Sequence, residues 1–491
     1  MPIKLASATL DQLPAEIARP RYDPSALSAG IVHFGVGNFH RAHQAVYLDD
    51  LFNSGAGHDW GIVGAGVLPS DAAMRQRLRA QDYLTTVVEE DSGYTAARVT
   101  APMVDFLDPS DSAAMMAKLA DPSIRIVSLT ITEGGYFLDA AGHFNAAHPD
   151  IVHDGQNQHA PRTVFGLILA GLAARRKDGT PPFTVMSCDN IPGNGHVTEN
   201  AVVGLASLCD AGLSRWITDN VAFPNSMVDR ITPATTDQQR TRLREQFGIE
   251  DNWPVFCEPF RQWVMEDRFP TGRPELEKAG VTFVEDVAPF ELMKIRILNG
   301  GHAAIAYPAA LMDIHFVHEA MQNDLVPAFL DKLESEEIVP TVGKVPGVGL
   351  AEYYRLVAKR FANPRIGDTI RRLCLDGSNR QPKFIVPTIA HRLQQGHDIS
   401  GLALVSALWC RYCFGTTDSG AVTQPNDPAW GRLQTAAQAA KADPMAWLAL
   451  GDVYGDVATA PAFRAAFAGW LASIWKDGAR QNLARYIASS A

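Results

Sequence analysis

Four polar side chains within one apolar helical stretch have the types and the spacing to move a proton and to hold an alcohol. Lys294, Asn299 and His302 share about two and a half predicted helical turns, and Glu291 lies one turn before Lys294. A lysine in a dry site can accept a proton because burial lowers its pKa, while amide and imidazole groups can hold an alcohol or an alkoxide. The residues between them are apolar on nearly every side, so we expect this helix to be buried. An ordinary surface pair of Glu291 and Lys294 is the competing interpretation.

A second candidate amide lies far upstream of this helix. Asn190 follows the apolar run 183–187, which predicts a short buried strand. Ligands bind at the carboxyl ends of parallel strands, so Asn190 is a candidate for holding the same alcohol. The pair Asp189-Asn190 also suits a plain turn ahead of Pro192 and Gly193, and that interpretation stays open.

A glycine turn near the start of the chain indicates a dinucleotide site. Gly35 and Gly37 follow the apolar strand 30–34 and precede a helix predicted over 39–51. The first glycine permits a tight turn, and the second lets the backbone approach a pyrophosphate that rests on the helix N-terminus. His40 stands where the third glycine of the fingerprint belongs, so a strand–turn–helix without a ligand remains the alternative.

Asp71 is the candidate acidic residue for the ribose of the cofactor. It follows the second apolar strand, residues 60–66, but lies farther from the glycine turn than is usual. Capping of the next helix is the other use of an aspartate at this position. No arginine follows at once to receive a 2′-phosphate, and the nearest, Arg75 and Arg77, lie on that helix, so NAD is favoured over NADP.

The order of predicted elements divides the chain into two domains. In the first half, short apolar strands alternate with helices, which predicts an α/β domain with a parallel sheet covered on both faces. The predicted strands are residues 30–34, 60–66, 124–131 and 183–187. After residue 284 helical patterns dominate, at residues 291–312, 323–333, 349–360, 387–393, 402–413 and 463–475, and the polar stretch 371–383 is predicted as a loop. The predicted domains are therefore 1–287, with the parallel sheet, and 288–491, mostly α-helical.

Size, charge and cysteine content narrow the class of protein. With 491 residues the chain exceeds one ordinary core, and its net charge of −11 argues against a nucleic-acid partner. We find no secretory signal and no apolar run of about 18 residues, so we expect a cytoplasmic protein without a membrane partner. The six cysteines form no metal-binding pattern. Cys410 and Cys413 have redox spacing but lie inside an apolar helical run, so we assign them no redox role.

Six ordered blocks of sequence carry a resemblance to a known family. They are residues 34–43, 130–136, 187–190, 227–233, the pattern from Lys294 to His302, and residues 376–378. On these blocks the chain resembles the polyol-specific long-chain dehydrogenases, and most closely their mannitol-oxidising members. That family combines an N-terminal Rossmann-type domain with a mostly helical C-terminal domain. The resemblance therefore implies the same fold and a metal-independent dehydrogenase that uses NAD.

The resemblance also implies a role for each candidate residue. Lys294 is implied as the general base, and Asn190 and Asn299 as the pocket for the alkoxide. His302 is implied to hold a substrate oxygen, and Glu291 to connect the lysine to solvent. The implied cofactor-binding residues are Gly35, Gly37, Asn38, Phe39, Arg41, Asp71, Glu133 and Val228. The implied substrate-binding residues are Asn190, Asp229, Lys294, His302, Arg372 and Arg380, with Val228 also lining the polyol site, and no metal ligand is implied.

Two departures from the family pattern bear on specificity. Arg380 stands where the family usually has lysine, and because the two cations differ in geometry, we expect a shift in affinity or sugar preference. Ser70 stands where close relatives often carry glutamate. The loss of that carboxylate weakens the repulsion of a 2′-phosphate, which leaves room for some use of NADP.

The predicted reaction is the oxidation of a polyol to a ketose, D-mannitol to D-fructose, with hydride transfer to NAD. D-arabinitol and D-sorbitol are further candidate substrates because they present a similar row of hydroxyl groups. The alternative is a hexuronate reductase of the same superfamily, acting on fructuronate or mannonate, with Arg372 or Arg380 receiving the carboxylate. A catalytically inactive nucleotide-binding protein is a third interpretation, which the intact Lys294 and its neighbours disfavour. The resemblance implies a monomer.

Overall fold

The computed structural model describes residues 2–139 and 142–489, and the chain divides into two compact units. Unit 1 comprises residues 1–288 and unit 2 comprises residues 289–491. The predicted domain boundary, after residue 287, lies next to this division.

Unit 1 is built from strands and helices that alternate along much of the chain. Its strands are β1 (Ile3–Lys4), β2 (Ala29–Phe34), β3 (Gly61–Ala65), β4 (Thr85–Glu90), β5 (Thr95–Thr100), β6 (Met103–Phe106), β7 (Ile126–Leu129), β8 (Thr184–Ser187), β9 (Ser226–Asp229), β10 (Ile249–Glu250), β11 (Val255–Cys257), β12 (Gln262–Glu266) and β13 (Thr282–Val284). Its helices are α1 (Asn38–Ala42), α2 (Gln44–Asn53), α3 (Pro69–Arg79), α4 (Ser112–Ala120), α5 (Pro149–Gln156), α6 (Val164–Asp178), α7 (Asn194–Cys209), α8 (Ala211–Asn220) and α9 (Asp237–Phe247). Short 3₁₀ turns lie at Ser7–Gln12, Pro24–Ala26, Glu133–Tyr136 and Leu276–Ala279.

The central sheet of unit 1 has five strands in the order β6-β3-β2-β7-β8, and each neighbouring pair is parallel. Successive residues of one strand enter different apolar cores. Ile31 packs in one core and Val32 in the other, and Ile126 and Val127 divide in the same way. The sheet is therefore buried on both faces, which is why its strands are continuous apolar runs in the sequence. The predicted α/β fold with a parallel sheet is confirmed.

Smaller sheets complete unit 1. β4 pairs with β5 antiparallel and with β11 parallel, while β12 pairs with β9 antiparallel and with β13 parallel. A parallel pair of β1 and β10 forms a further small sheet. The sequence does not predict β9, because charged residues follow its short apolar centre. Val228 and Asp229, two of the candidate site residues, lie on this strand.

The single helix predicted over 39–51 is wrong, because the structure has two helices there. α1 ends at Ala42 and α2 begins at Gln44, and His43 between them has φ −120° and ψ −88°, outside the helical range. The His43 Nε2 lies 2.9 Å from the Gln262 carbonyl oxygen, and the His43 ring packs 5.4 Å from Trp263. These partners are more than 200 positions away in sequence, so the local pattern could not show the break.

Unit 2 is mostly helical, as predicted. Its helices are α10 (Ala288–Met293), α11 (Gly300–Leu311), α12 (Val317–Gln322), α13 (Val326–Leu333), α14 (Leu350–Phe361), α15 (Ile370–Leu373), α16 (Gly377–Phe384), α17 (Val386–Gln394), α18 (Ser400–Cys413), α19 (Trp430–Ala440), α20 (Met445–Leu448), α21 (Gly451–Tyr454) and α22 (Pro461–Ala488). Two π-helical segments, Lys294–Asn299 and Glu334–Ile338, continue α10 and α13 directly. Short 3₁₀ turns lie at Val339–Thr341, Pro364–Ile366 and Gly455–Thr459.

Two predictions for unit 2 need correction. The stretch 371–383, predicted as a loop, contains most of α15 and α16. Gly377 indicates a break by its type, yet it begins α16, where a Cβ would lie 2.6 Å from the Trp409 indole nitrogen. The helix predicted from 323 begins only at Val326, because the Asn323 side chain accepts the backbone N–H of Leu325 at 3.0 Å and ends the preceding segment.

The helix predicted over 463–475 is one part of the longer α22, which breaks at Gly478 with φ 76° and ψ 174°. α22 packs against α18, where Gly401 leaves room for the Tyr486 hydroxyl. No single helix in the described residues is long and apolar enough to cross a membrane. The pair Gly451–Thr459 and Pro461–Ala488 meets that requirement only together, across a bend of 114°.

Candidate functional site

The glycine turn after β2 shows why two glycines stand there. Gly35 has φ +94°, and a Cβ on it would overlap the carbonyl oxygen of Thr130, so the fold itself requires glycine. Gly37 has φ −87°, and the nearest described atom to its Cβ position is the Gly35 carbonyl oxygen at 3.9 Å. The fold does not require glycine at residue 37. The open space there fits a ligand that approaches the backbone closely, as a pyrophosphate does in a dinucleotide site.

Arg41 stabilises this turn through hydrogen bonds from its buried guanidinium. Its Nε donates to the Gly37 carbonyl oxygen at 3.3 Å, and its guanidinium also donates to Asn38 Oδ1 at 2.7 Å and to the carbonyl of Trp253. Arg41 is 1% exposed, and burial lowers its pKa to about 9. The structure thus places Arg41 under the turn and Asn38 beside it, with Asn38 Nδ2 donating to Pro233 at 3.2 Å. A contact of Arg41 with the cofactor stays a prediction.

Three buried histidines lie beneath the same turn, and the sequence analysis assigns two of them no role. His33 stacks on His40 at 3.6 Å, and its ring nitrogens lie 2.7 Å from Ser128 Oγ and 3.2 Å from the Gly35 carbonyl oxygen. His43 stacks on Phe39 at 4.8 Å, which places this candidate cofactor residue. Burial lowers the pKa of His33 and of His43 to about 3 and that of His40 well below its usual range. The three rings are therefore neutral packing groups, and His40 fills the place of the third glycine.

Asp71 is a helix cap in the structure. Its Oδ2 accepts the backbone N–H of Leu68 at 2.9 Å at the start of α3, and Gly66 leaves room for its carboxylate. Its predicted contact with a ribose is untested. The two arginines nearest in sequence are engaged elsewhere, since Arg75 donates to the Phe106 carbonyl at 2.7 Å and Arg77 lies over the Trp253 ring at 4.0 Å.

The segments that follow β7 and β8 bring Glu133 and Asn190 into one hydrogen-bonded region. Asp189, which is 8% exposed, accepts the backbone N–H groups of Ile131 and Thr132, each at 2.9 Å. The side chains of Glu133 and Asn190 lie at exposed positions next to these anchored residues. The sequence predicts Asp189 only as a turn residue. The signal that could have identified it is its place directly before a candidate amide at a strand end.

Unit 2 carries Lys294 and Asn299 on a π-helical segment rather than on the α-helix that the sequence predicts. In a π-helix residues five apart are joined by a backbone hydrogen bond, so Lys294 and Asn299 lie on the same side of adjacent turns. An α-helix would separate them by about 140°. Lys294 is 8% exposed, and Glu291 precedes it in α10. Arg296, within the segment, is buried and donates to the Thr341 carbonyl oxygen, which anchors the π-helix.

His302 follows in the first turn of α11. Its ring stacks on Phe361 at 4.0 Å, and its Nε2 is buried without a hydrogen-bond partner among the described residues. Burial, together with the positive charges of Arg372, Arg360 and Arg380, lowers the pKa of His302 well below its usual range. His302 is therefore neutral, with a ring nitrogen available to hold a substrate hydroxyl.

The two candidate substrate arginines lie in the same region of unit 2. Arg372 forms a two-point pair with Asp368, with one contact of 2.5 Å between Nε and Oδ1. Burial lowers the pKa of Arg372, but the hydrogen bonds that it donates to Asp368 and the negative charge of Asp368 outweigh burial and raise the pKa overall. Arg380 donates to the carbonyl oxygens of Leu373 at 3.1 Å and of Arg372 at 3.4 Å. Its remaining N–H groups leave capacity for a further acceptor.

In the described residues no group of three histidine, cysteine or acidic side chains could hold a metal ion. Each unit by itself gathers part of the predicted site. Unit 1 holds the glycine turn, the Asp189 region and β9. Unit 2 holds the π-helical segment and the surroundings of His302.

Comparison with known families covers both units. Residues 29–278 match the mannitol dehydrogenase Rossmann domain, and residues 286–475 match the mannitol dehydrogenase C-terminal domain. The chain belongs to the mannitol dehydrogenase family. The resemblance drawn from the six sequence blocks is thereby confirmed.

Individual relatives match along nearly the whole chain. The mannitol 2-dehydrogenase of Cereibacter sphaeroides is 60% identical over 474 residues, which covers 96% of this chain and 99% of that protein. The solved mannitol 2-dehydrogenase of Pseudomonas fluorescens, a ternary complex with NAD and D-mannitol, has a TM-score of 0.89 at 43% identity, covering 99% of this chain and 100% of that one. A solved D-sorbitol dehydrogenase in substrate-free form has a TM-score of 0.91 at 34% identity, covering 98% and 100%.

Proposed function

We propose that the protein is an NAD-dependent mannitol 2-dehydrogenase, an oxidoreductase that converts D-mannitol to D-fructose. The observation that carries this proposal is the full-length match to the Pseudomonas fluorescens enzyme, whose solved complex contains NAD and D-mannitol. The glycine turn of this chain fits such a cofactor, because the Cβ position of Gly37 is open while Gly35 is required by the backbone. When bound, NAD supplies the acceptor for the hydride.

The residues of the chain have distinct proposed roles in this reaction. Lys294, nearly buried on the π-helical segment, accepts the proton of the hydroxyl group that is oxidised. Asn190 and Asn299 donate amide N–H groups to the oxygen as negative charge develops on it. One such donor is typically worth about 3–4 kcal/mol of transition-state stabilisation. Glu291 passes the proton from the lysine to solvent.

His302 and the arginines have proposed roles in substrate binding. Because His302 is neutral, one ring nitrogen accepts and the other donates, which suits a hydroxyl group better than an anion. Asp229 on β9 and the guanidinium groups of Arg372 and Arg380 bind the remaining hydroxyls of the polyol. In the cofactor site, Asn38, Phe39, Asp71, Glu133 and Val228 remain the proposed contacts beside the two glycines and Arg41.

D-sorbitol is the second candidate substrate. The specific observation in its favour is the match to D-sorbitol dehydrogenase, at a TM-score of 0.91 and 34% identity. D-arabinitol follows by its similar row of hydroxyls. Some activity with NADP is proposed because Ser70 supplies no carboxylate against a 2′-phosphate. That activity stays below the activity with NAD, because Arg75 and Arg77 are engaged within the fold and do not receive the phosphate.

Initial rates of NADH formation test the function. The panel is D-mannitol, D-sorbitol, D-arabinitol and D-mannonate, each with NAD and then with NADP. We expect the highest kcat/KM with D-mannitol and NAD. Activity with D-mannonate alone would refute the polyol assignment and assign the arginines to a carboxylate. Absence of any turnover, with NADH still bound, would refute an active dehydrogenase.

We also propose that the enzyme is a cytoplasmic monomer without a nucleic-acid or membrane partner. The net charge of −11 supports the absence of a nucleic-acid partner, because binding to nucleic acids requires a cationic face. Light scattering on the purified protein with NADH tests the monomer, and a mass of about twice the 53.3 kDa of one chain would refute it.

A further inference from the structure

One residue of unit 1 has a backbone conformation that its side chain strongly disfavours. Thr132, three residues after the end of β7, has φ +65° and ψ 165°. This region is populated essentially by glycine alone, and threonine is β-branched, so the conformation must be imposed by the surroundings. Thr132 is an exposed residue, so packing of its own side chain in the core does not impose it.

The carboxylate of Asp189 supplies that constraint. Oδ1 accepts the N–H of Thr132 at 2.9 Å, and Oδ2 accepts the N–H of Ile131 at 2.9 Å and the hydroxyl of Tyr136 at 2.7 Å. One carboxylate thus holds two successive backbone donors before the Thr132 Cα and the Tyr136 hydroxyl after it. Charge-assisted hydrogen bonds of this kind are stronger than neutral ones, which suits a clamp on an unfavourable conformation.

The backbone of Asp189 is fixed as well. Its N–H donates to Ser187 Oγ at 3.2 Å, the Ser187 hydroxyl contacts the Tyr136 hydroxyl at 2.6 Å, and Tyr136 returns to the Asp189 carboxylate. The carbonyl oxygen of Asp189 accepts Asn194 Nδ2 at 3.0 Å. A closed ring of hydrogen bonds therefore fixes the residue immediately before Asn190.

We propose that Asp189 is a positioning residue: it clamps Thr132 in its strained conformation and so sets the Glu133 segment and Asn190 together. The proposal rests on the proposed function, in which Glu133 contacts the cofactor and Asn190 contacts the alkoxide. A glycine at residue 132 would reach the same backbone conformation without a clamp. The chain instead combines Thr132, which disfavours this conformation, with the buried carboxylate of Asp189. This arrangement determines the positions of the neighbouring site residues, Glu133 and Asn190.

Asp189→Asn tests the clamp. An amide keeps the shape, but its NH₂ group would face a backbone N–H donor, so at least one of the two backbone bonds is lost. We expect kcat for D-mannitol to fall about tenfold to hundredfold, as for a displacement of roughly 1 Å at a reacting group. The dissociation constant of NADH, measured by fluorescence, should rise in parallel because Glu133 moves with Thr132.

Asp154→Asn is the matched control. Asp154 is also buried in unit 1 and accepts two successive backbone N–H groups, those of Arg162 at 2.8 Å and Thr163 at 2.9 Å. Thr163 has an ordinary φ of −103°, and none of these residues is a candidate site residue. We expect Asp154→Asn to lower the melting temperature while kcat and the NADH dissociation constant stay within about twofold of the wild-type values.

Rescue separates positioning from stability. The double variant Thr132→Gly/Asp189→Asn should have a kcat close to that of Thr132→Gly alone. Most of the loss that Asp189→Asn causes in the presence of Thr132 is then recovered, since glycine adopts the conformation without a clamp. A purely structural Asp189 predicts the opposite, because the added glycine loosens the chain further. If Asp189→Asn does not fold, Tyr136→Phe weakens the same clamp by one donor and should give a smaller loss that Thr132→Gly again recovers.

The outcomes are distinct. Unchanged kcat and NADH affinity in Asp189→Asn or in Tyr136→Phe, or a loss without recovery by Thr132→Gly, would overturn the positioning role. A wild-type enzyme that binds NADH but does not oxidise D-mannitol would overturn the proposed function instead. In that case the NADH affinity of Asp189→Asn still decides whether the clamp positions the Glu133 segment.

Discussion

Replacement of Gly37 by alanine separates what the cofactor needs from what the fold needs. Gly37 has φ −87° and ψ −171°, which alanine adopts freely, and the nearest described atom to its Cβ position is 3.9 Å away. Alanine in place of glycine at a helix N-cap lowers the free energy of unfolding by about 0.5–1 kcal/mol. Alanine also reduces the conformational entropy of the unfolded chain, which raises the free energy of unfolding by about 0.4–1 kcal/mol. We therefore expect the free energy of unfolding of Gly37→Ala to change by less than about 1 kcal/mol.

The affinity for NADH should respond very differently. A methyl group at residue 37 occupies the space through which a pyrophosphate approaches the backbone. We expect the dissociation constant of NADH to rise at least about tenfold, which corresponds to about 1.4 kcal/mol of binding free energy. Fluorescence titration with NADH and urea unfolding of the same preparation give both quantities.

Substitutions at two further glycines serve as controls. Gly93→Ala is the control for a harmless methyl group, since its Cβ position in the β4–β5 turn meets no described atom within 4 Å. Gly35→Ala should instead fail to fold stably, because its φ is +94° and the methyl would overlap the Thr130 carbonyl. If Gly37→Ala binds NADH with wild-type affinity, the dinucleotide does not approach this turn, and the cofactor site lies elsewhere.

Three other perturbations follow from the structure. Lys294→Ala should lower kcat by about 10²–10⁴-fold with little change in NADH affinity, because a general base contributes about that much; near-normal turnover would rule out Lys294 as the base. Glu334→Leu should stabilise unit 2, because both carboxyl oxygens of the buried Glu334 lack partners among the described residues and burial raises its pKa well above its usual range. The folded state keeps the proton on the Glu334 carboxyl, while the unfolded state loses it above about pH 4.5. The difference in the free energy of unfolding between Glu334→Leu and the wild type, measured by urea unfolding, should therefore grow between about pH 5 and pH 8. His33 and His43 have folded pKa values of about 3, so the unfolded chain takes up protons first as pH falls. The contribution of these two histidines to stability should therefore drop below about pH 6.5, by up to about 1.4 kcal/mol per pH unit for each. Glu334→Leu removes the opposing contribution of Glu334, and equal unfolding midpoints of that variant at about pH 7 and pH 5 would contradict the prediction.

The sequence predicts the reactive groups better than it predicts their surroundings. Lys294, Asn299 and His302 stand out because polar residues are rare in an apolar helical stretch, and the buried strands stand out as short apolar runs. Both signals are local. The π-helical geometry that brings Lys294 and Asn299 to one side of the helix is not local, because Arg296 is anchored on Thr341 far along the chain.

The elements that the sequence predicts wrongly also depend on distant contacts. His43 breaks the helix predicted over 39–51 through contacts with Gln262 and Trp263, and no nearby residue signals the break. Gly377 has the type of a loop residue, but its lack of a Cβ serves close packing on Trp409 within a helical segment. Residue type gives the range of backbone conformations that are allowed, and tertiary contacts select among them.

In both units some candidate residues lie on, or next to, backbone that local preference opposes. Gly35 has a positive φ and its carbonyl is held by His33, Thr132 is held by Asp189, and Lys294 lies on a π-helix anchored through Arg296. Unusual backbone persists only where the surroundings determine it more than once. The residues that hold it are buried and make no predicted contact with substrate, so a search by reactive type passes over them. Mutations at these holding positions should therefore impair turnover or cofactor affinity as strongly as mutations at some of the contact residues.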